Sequence, residues 1–176
     1  MEFWSTAFEN DVTNLIEVIT KTTVDPNRPL HKRSWNNIAE AKMKGAELNL
    51  GYQFNDQLSV KTNTAYLEAR DVKKKVDLTE RPEWTSNLIV NWEPVENFRI
   101  SADANYVGKQ TINATTGKKL PSYTTYNLAL SSDLTPSLKL DYGVKNLTDV
   151  DLEDEDSDFN SKMYGRNYFA KLTYNF

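Results

Sequence analysis

The densest group of reactive side chains lies near the end of the chain, in DVDLEDEDSDFN (149–160), where Asp149, Asp151, Glu153, Asp154, Glu155, Asp156 and Asp158 crowd together. Carboxylates so spaced suggest calcium ligation, but an EF-hand turn needs glycine at its sixth position and this stretch has none. The stronger expectation is a solvated loop that meets cationic partners through Asp151, Glu153, Asp154 and Glu155. The opposite charge gathers at Lys73, Lys74 and Lys75 and again in GKK (117–119), which suit an anionic lipopolysaccharide or an anionic chelate. Acid/base catalysis needs carboxylates shifted by burial, and these sit where burial is not expected. The single histidine, His31, falls in a Pro-rich loop, and there is no cysteine. A zinc site, a thiol site and a His-based dyad are thereby set aside. No Gly-rich phosphate loop occurs. The residues indicate binding surfaces and no active site, so neither an enzyme nor a cofactor is expected.

The 176 residues suffice for one domain, and the net charge of −4 argues against nucleic acid as a partner, because phosphate binding needs a basic surface. A mean hydropathy of −0.65 with 26% charged residues resembles a soluble protein. No stretch approaches the ~18 consecutive apolar residues of a spanning helix, and Met1 is followed at once by EFWSTAFENDV, unlike a signal peptide. A membrane barrel escapes all of these tests, since its strands are only half apolar.

Helical periodicity is weak and alternation is strong. Eight segments are predicted as strands: 4–17, 36–54, 57–69, 84–93, 98–109, 123–134, 138–147 and 164–176. Their connections alternate. NDQ (55–57), PVEN (94–97) and TPS (135–137) are tight turns, while KTTVDPNRPLHKRS, RDVKKKVDLTERP, KQTINATTGKKLPS and TDVDLEDEDSDFNSK are long and polar. Short turns at one end and long loops at the other are the signature of an outer-membrane barrel.

Alternation alone does not say whether the apolar side meets a core or lipid. Aromatic spacing decides. Trp84 and Trp92, Phe98 and Tyr106, and Tyr168 and Phe176 each share a face at eight residues' separation. At about 3.3 Å per residue and a tilt of roughly 40°, that interval rises about 20 Å, close to the apolar band between two aromatic girdles. The opposite face carries Glu47, Lys61, Arg99, Asp103, Lys139, Asp141, Lys145 and Lys171, with Asn49, Asn63, Asn87, Asn91 and Asn105 among them. These are expected to line a polar lumen. Small residues between the girdles, such as Ala102, Ala104 and Ala170, would leave a soluble core thin but are tolerable against lipid. A soluble barrel with an apolar ligand inside is the weaker alternative.

The strand AKMKGAELNLGYQF (41–54) resembles the K-x-K-G-x-E strand of TonB-dependent outer-membrane transporters. RPEWT (81–85), YVGKQ (106–110), SYTTYNLALS (122–131), GVKNLTD (143–149) and GRNYFAKLTYNF (165–176) follow in that family's order and spacing. The most specific element is NLTD followed some 16 residues later by GRNYF. The resemblance covers about residues 4–176 and implies the last eight strands of a roughly 22-stranded barrel. It implies residence in the bacterial outer membrane among lipid and lipopolysaccharide. It also implies ferric siderophore uptake by a parent transporter with a plug domain and TonB. The final aromatic strand, with Tyr168, Leu172, Tyr174 and Phe176, is implied to be the signal read by the barrel assembly machinery. No plug sequence is present, so 1–176 reads as a single barrel segment. Two architectures follow: an all-β antiparallel transmembrane barrel self-closed by pairing of its first and eighth strands, which strand count and length favour, or the C-terminal piece of the larger barrel. The first could be a small structural or engineered barrel without transport. Unpaired edges are not tolerated in lipid, so an isolated open sheet is not a third choice.

Overall fold

The computed structural model describes residues 1–23, 30–114, 116–152 and 164–176, with only the backbone described for 15, 17–23 and 30–39. The strands are β1 (Glu2–Thr23), β2 (Leu30–Asn55), β3 (Leu58–Asp71), β4 (Val76–Asp77), β5 (Trp84–Val95), β6 (Phe98–Val107), β7 (Gln110–Asn113), β8 (Lys118–Leu120), β9 (Tyr123–Thr135), β10 (Leu138–Lys145) and β11 (Asn167–Tyr174). Eight of them form an antiparallel meander in the order β1-β2-β3-β5-β6-β9-β10-β11, with β4 added beside β3 and β7–β8 as a separate hairpin.

All eight predicted strands are present, and the alternating residues explain why. From β2 onward each places apolar or aromatic side chains on one parity, so a single register carries them across the sheet, whereas β1 sets Phe3 and Ala7 outward but Trp4 and Phe8 opposite the inward Asn49 and Gly45. One outward row reads Leu50–Thr62–Leu88–Ala104–Tyr126, and the inward row beside it reads Asn49–Asn63–Asn87–Asn105–Thr125. A one-residue slip in any pairing would exchange the two faces, which is what holds the register.

Self-closure does not occur. The sheet is open, with β1 and β11 at opposite ends of the pairing order and not paired with each other. The accessible surface of 12669 Å² compares with about 8,800 Å² for a compact soluble chain of this mass. The curvature of the eight strands does not bring the ends together. Large hydrophobics stay exposed all along one face, and the buried clusters are small and confined to the long-connection end. One is Ala41, Ala69 and Leu78, and the other is Leu120 and Leu152 with Ile112, Tyr123 and Val150 packed on them.

The long connections are shorter than the sequence suggests. β1 and β2 run on as one hairpin to Thr23 and Leu30, so His31 lies in a strand opposite Thr22 and not in a loop. RDVKKKVDLTERP extends β3 and turns into β4, with Arg70 opposite Asp77. KQTINATTGKKLPS holds the β7–β8 hairpin. Polar residues in these stretches continue the ladder, since strand pairing is made by backbone groups whatever the side chains. The last strand ends at Tyr174, so Phe176 lies past it and not in mid-strand, although the Asn175 amide still donates to the Ser137 carbonyl at 2.9 Å.

The three tight turns are as expected. In the first, Asn55 Oδ1 accepts from the amides of Gln57 and Leu58 at 2.9 and 2.8 Å, a local closure that asparagine makes readily. At Gly143 the chains come too close for a side chain. A Cβ there would lie 2.9 Å from Ala129 Cα and 2.9 Å from the Phe169 ring, and would also strike the Leu128 carbonyl oxygen. Phe169, its cross-strand partner, covers the glycine. Gly143→Val is therefore expected to separate β9 from β10 and cost about 1–3 kcal/mol. A urea midpoint unchanged from that of the native protein would refute this.

Candidate functional site

The register divides the sheet into two working surfaces. Trp84, Trp92, Phe98, Tyr106 and Tyr168 all lie on the outward face, as their spacing predicts, and Phe176 extends the same parity beyond β11. The rings are grouped at two levels. Towards the long-connection end Tyr66 packs against Trp84 with centroids 4.9 Å apart. Towards the tight turns Tyr52 meets Phe54 and Tyr174 meets Phe176, both edge to face at 4.7 and 5.0 Å. Between the levels stand Leu48, Leu88, Val90, Ile100, Leu128, Leu130 and Leu172. A face of this kind, exposed in every strand, is stable only against an apolar medium.

The inward face holds every polar residue singled out from the sequence. Glu47, Lys61, Arg99, Asp103, Lys139, Asp141, Lys145 and Lys171 share its parity. Arg99 is ion-paired with Glu93 near the tight-turn rim, Lys139 lies 3.7 Å from Asp141, and Lys145 sits 5.9 Å from the centre of the Phe169 ring. Lys171 stands opposite Asp141 in register. Glu47 and Lys61 are in no ion pair among the described residues. A self-closed eight-stranded lumen would force these charges into buried pairs. In the open sheet Lys61, Arg99, Lys145 and Lys171 are exposed and the other four half-buried.

The inward face is organised by amides more than by charges. Asn63 Nδ2 donates to Asn49 Oδ1 at 2.6 Å. Asn87 Nδ2 donates to Asn105 Oδ1 at 2.6 Å, and Asn105 donates on to Asp103 at 2.6 Å. Asn127 Nδ2 donates to the same Asp103 oxygen at 2.7 Å, and Asn127 Oδ1 accepts from the Asn146 amide at 2.9 Å. The chain of bonds thus crosses from β5 to the end of β10. Asn49 Nδ2 is buried and has no hydrogen-bond partner, so an acceptor brought by whatever fills the lumen would complete it.

That chain ends in a corner the sequence reading did not resolve. Asn146, 5% exposed, has φ 52°. Its Oδ1 accepts from the Val150 amide at 2.9 Å, and its Nδ2 donates to the carbonyls of Val150 and Tyr164 at 2.9 and 3.3 Å. Asp149 Oδ1 accepts from the Arg166 amide, and Arg166 Nε donates to the Leu147 carbonyl at 3.0 Å. NLTD and GRNYF are thus two halves of one clasp that sets where β11 begins. The signal was in the sequence as the N-x-x-D…G-R pattern, but a pattern does not disclose which backbone groups it satisfies.

The charged loops divide in the same way. Asp71 Oδ1 accepts from the Lys74 amide at 2.8 Å and its other oxygen lies 3.7 Å from Lys74 Nζ, so Lys73, Lys74 and Lys75 occupy an ordered turn. Asp151 is exposed just past the clasp, while Glu153, Asp154 and Glu155 lie outside the described residues. On the β7–β8 hairpin, Lys119 pairs with Glu83, whose carboxylate holds the ammonium above the ordinary lysine range. A raised lysine stabilises the fold in full below its unfolded pKa and loses that contribution as pH rises through the raised value. The pair is half exposed, so a double-mutant cycle of Lys119→Gln and Glu83→Gln should give a coupling below about 1 kcal/mol. A much larger coupling would contradict a solvent-screened pair.

Comparison with known proteins agrees with this two-faced wall. Residues 2–147 match the family model "TonB dependent receptor-like, beta-barrel". The chain is 27% identical over 176 residues to the vitamin B12 transporter BtuB of Photobacterium profundum, covering 98% of this chain and 27% of that one. It is 24% identical to the ferric enterobactin receptor PirA of Pseudomonas aeruginosa, with 97% and 25% covered. The crystal structure of the siderophore receptor PirA from Acinetobacter baumannii superposes with a TM-score of 0.75 at 21% identity, over 99% of this chain and 29% of that one. The chain spans about a quarter of the length of the curated relatives it matches.

Proposed function

The chain belongs to the TonB-dependent receptor family, as part of its β-barrel, and from that premise we propose that it is a wall segment of an outer-membrane transporter for a ferric chelate or a comparable nutrient. The observation that carries this reading is the open eight-stranded sheet with an aromatic-belted apolar face and a polar amide face, ended by two unpaired edges. In lipid those edges need partners, and further strands of a larger barrel supply them. The relatives' names support the cargo class, since they are transporters or receptors for vitamin B12 and ferric enterobactin.

Within that reading the inward face of Asn49, Asn63, Asn87 and Asn105 with Asp103 is the surface a plug rests against, and the unpartnered Asn49 Nδ2 marks one contact. Lys73, Lys74, Lys75 and Asp151 stand at the outer rim, where arriving cargo is first met. TonB acts on the plug and not on this wall. Tyr168, Leu172, Tyr174 and Phe176 present the aromatic final strand to the assembly machinery.

The test is carried out on the full polypeptide that contains these strands. It should sediment with the outer membrane, resist urea extraction and migrate differently on gels before and after heating. Its deletion should abolish growth when a ferric chelate is the sole iron source. Growth unaffected on every ferric chelate and on cobalamin would sink the transport reading. Release from the membrane by urea would sink the barrel reading.

A further inference from the structure

We propose, resting on the membrane placement above, that the outward face of β2 and β3 binds a phosphorylated glycolipid of the outer leaflet, its phosphate held at Lys44, Arg70 and Lys75 and an acyl chain lying below Tyr66. Two cavities stacked on this face carry the inference. The upper one, of about 300 Å³, is lined by Lys42, Lys44, Arg70 and Lys75 against the carboxylates of Glu68 and Asp71, four cations to two anions and so a local charge of +2. The lower one, of about 440 Å³, is a trough among Ala7, Ala46, Leu48, Thr64, Tyr66 and Trp84, with Ser5, Thr6 and Glu47 completing its wall. The Ala46–Tyr66 pair in the trough is followed two residues on by Lys44–Glu68 and then by Lys42–Arg70.

Depth decides what can reach the upper cavity. Two residues of a strand tilted by roughly 40° rise about 5 Å. The Lys44 row therefore stands about 5 Å above Tyr66 and the Lys42–Arg70 row about 10 Å, the depth of headgroups beyond the hydrocarbon edge. A plug or cargo inside the barrel cannot touch this face.

The ion pairs here leave room for a ligand. Lys42 is committed to Glu9, with Asp11 3.8 Å away. Arg70 is shared loosely between Glu68 at 3.9 Å and Asp77 at 3.6 Å. Lys44 and Lys75 enter no ion pair among the described residues. A phosphate would draw Arg70 from these two loose ion pairs and from the Lys75 carbonyl, 3.5 Å from Nη2, into charge-assisted hydrogen bonds, for which its guanidinium is suited. The trough carries few polar groups on its outward side: Thr64 Oγ1 is already bonded to Ser86 Oγ at 2.8 Å, Ser5 stands opposite Leu48, and Thr6 and Glu47 belong to the inward parity. Charge above and an apolar channel below fit an amphiphile, and neither cavity alone would specify one.

The experiment uses the full polypeptide in octyl-glucoside micelles, with native mass spectrometry reading bound lipid after incubation with lipopolysaccharide, phosphatidylcholine or inorganic phosphate. Lipopolysaccharide should be retained and phosphatidylcholine should not. Lys44→Gln/Arg70→Gln/Lys75→Gln should lower retention at least tenfold, while the inward-facing Lys61→Gln/Lys171→Gln should leave it unchanged. Ala46→Trp, which fills the trough and keeps every charge, should lower it as well, and this variant decides the matter if the triple variant does not fold. Retention within twofold of the native level in the triple variant and in Ala46→Trp would overturn the proposal. So would displacement of the lipid by inorganic phosphate at millimolar concentration, which would make this a free-phosphate site. Heat-modifiable migration is recorded on every sample. Its absence from the native protein would overturn the membrane reading, whereas its presence with no lipid retained overturns only the lipid site.

Discussion

Leu88→Arg is expected to cost about 2–4 kcal/mol of stability in lipid, whereas Asn87→Arg, one residue earlier, should cost about 1 kcal/mol. Leu88 lies on the outward face midway between Trp84 and Trp92, and it is 43% exposed with nothing from this chain to cover it. At that depth a guanidinium has neither water nor a partner. Asn87 faces inward and would lose one hydrogen bond to Asn105 while its replacement stays hydrated. In a soluble barrel with its apolar side inside, Leu88 would be a core residue and Asn87 a surface residue, and the same two variants would differ in aqueous buffer without lipid. The discriminating measurement is urea unfolding of the full polypeptide refolded into lipid vesicles, beside its solubility without detergent. Equal costs for the two variants, or a protein that stays soluble and monomeric in buffer, would overturn the assignment of faces.

The contrast between Asn87 and Leu88 was visible in the sequence because a strand's period is two. Parity alone sorts the aromatic pairs and the polar residues expected in the lumen onto two separate faces of the sheet. Closure was not visible in the same way. Whether β1 meets β11 depends on the accumulated twist and stagger of eight strands, and each strand contributes only a small rotation that no residue encodes by itself. The count of eight fitted a small barrel as well as a fragment of a large one, and the open sheet decides for the fragment. Loop lengths misled for a different reason. Lys32, Arg33, Arg70 and Lys118 are polar, and polarity by itself does not disclose whether a stretch is paired. The ladder runs through them regardless. The amide network fell between these cases: Asn49, Asn63, Asn87 and Asn105 were legible as inward residues, while Asn127 and Asn146 gain their roles from cross-strand and corner geometry.

Asn146→Leu is expected to be the most damaging single substitution at the long-connection end, at about 3 kcal/mol or more. The side chains are similar in volume, so the loss is not one of packing. Three hydrogen bonds disappear at once, leaving the Val150 amide and the Val150 and Tyr164 carbonyls to find water in a corner where Asn146 itself is only 5% exposed. Each buried group left unpaired costs about 1–3 kcal/mol. The left-handed φ of 52° adds to this, since asparagine tolerates that region and leucine does not. Asn146→Gly separates the two effects, because it keeps the backbone geometry and loses only the side-chain bonds. It should recover the conformational part and no more. Arg166→Gln removes the guanidinium bond to the Leu147 carbonyl and leaves the Arg166 amide on Asp149, so it should cost less than either. Because the clasp sets where Asn167 enters the sheet, the damage should be local to β11. Hydrogen exchange on the vesicle-inserted protein should show β10 and β11 amides opening first in Asn146→Leu, while β3 and β5 keep native protection. Uniform loss across the sheet, or exchange unchanged at β11, would show that the clasp does not position the final strand.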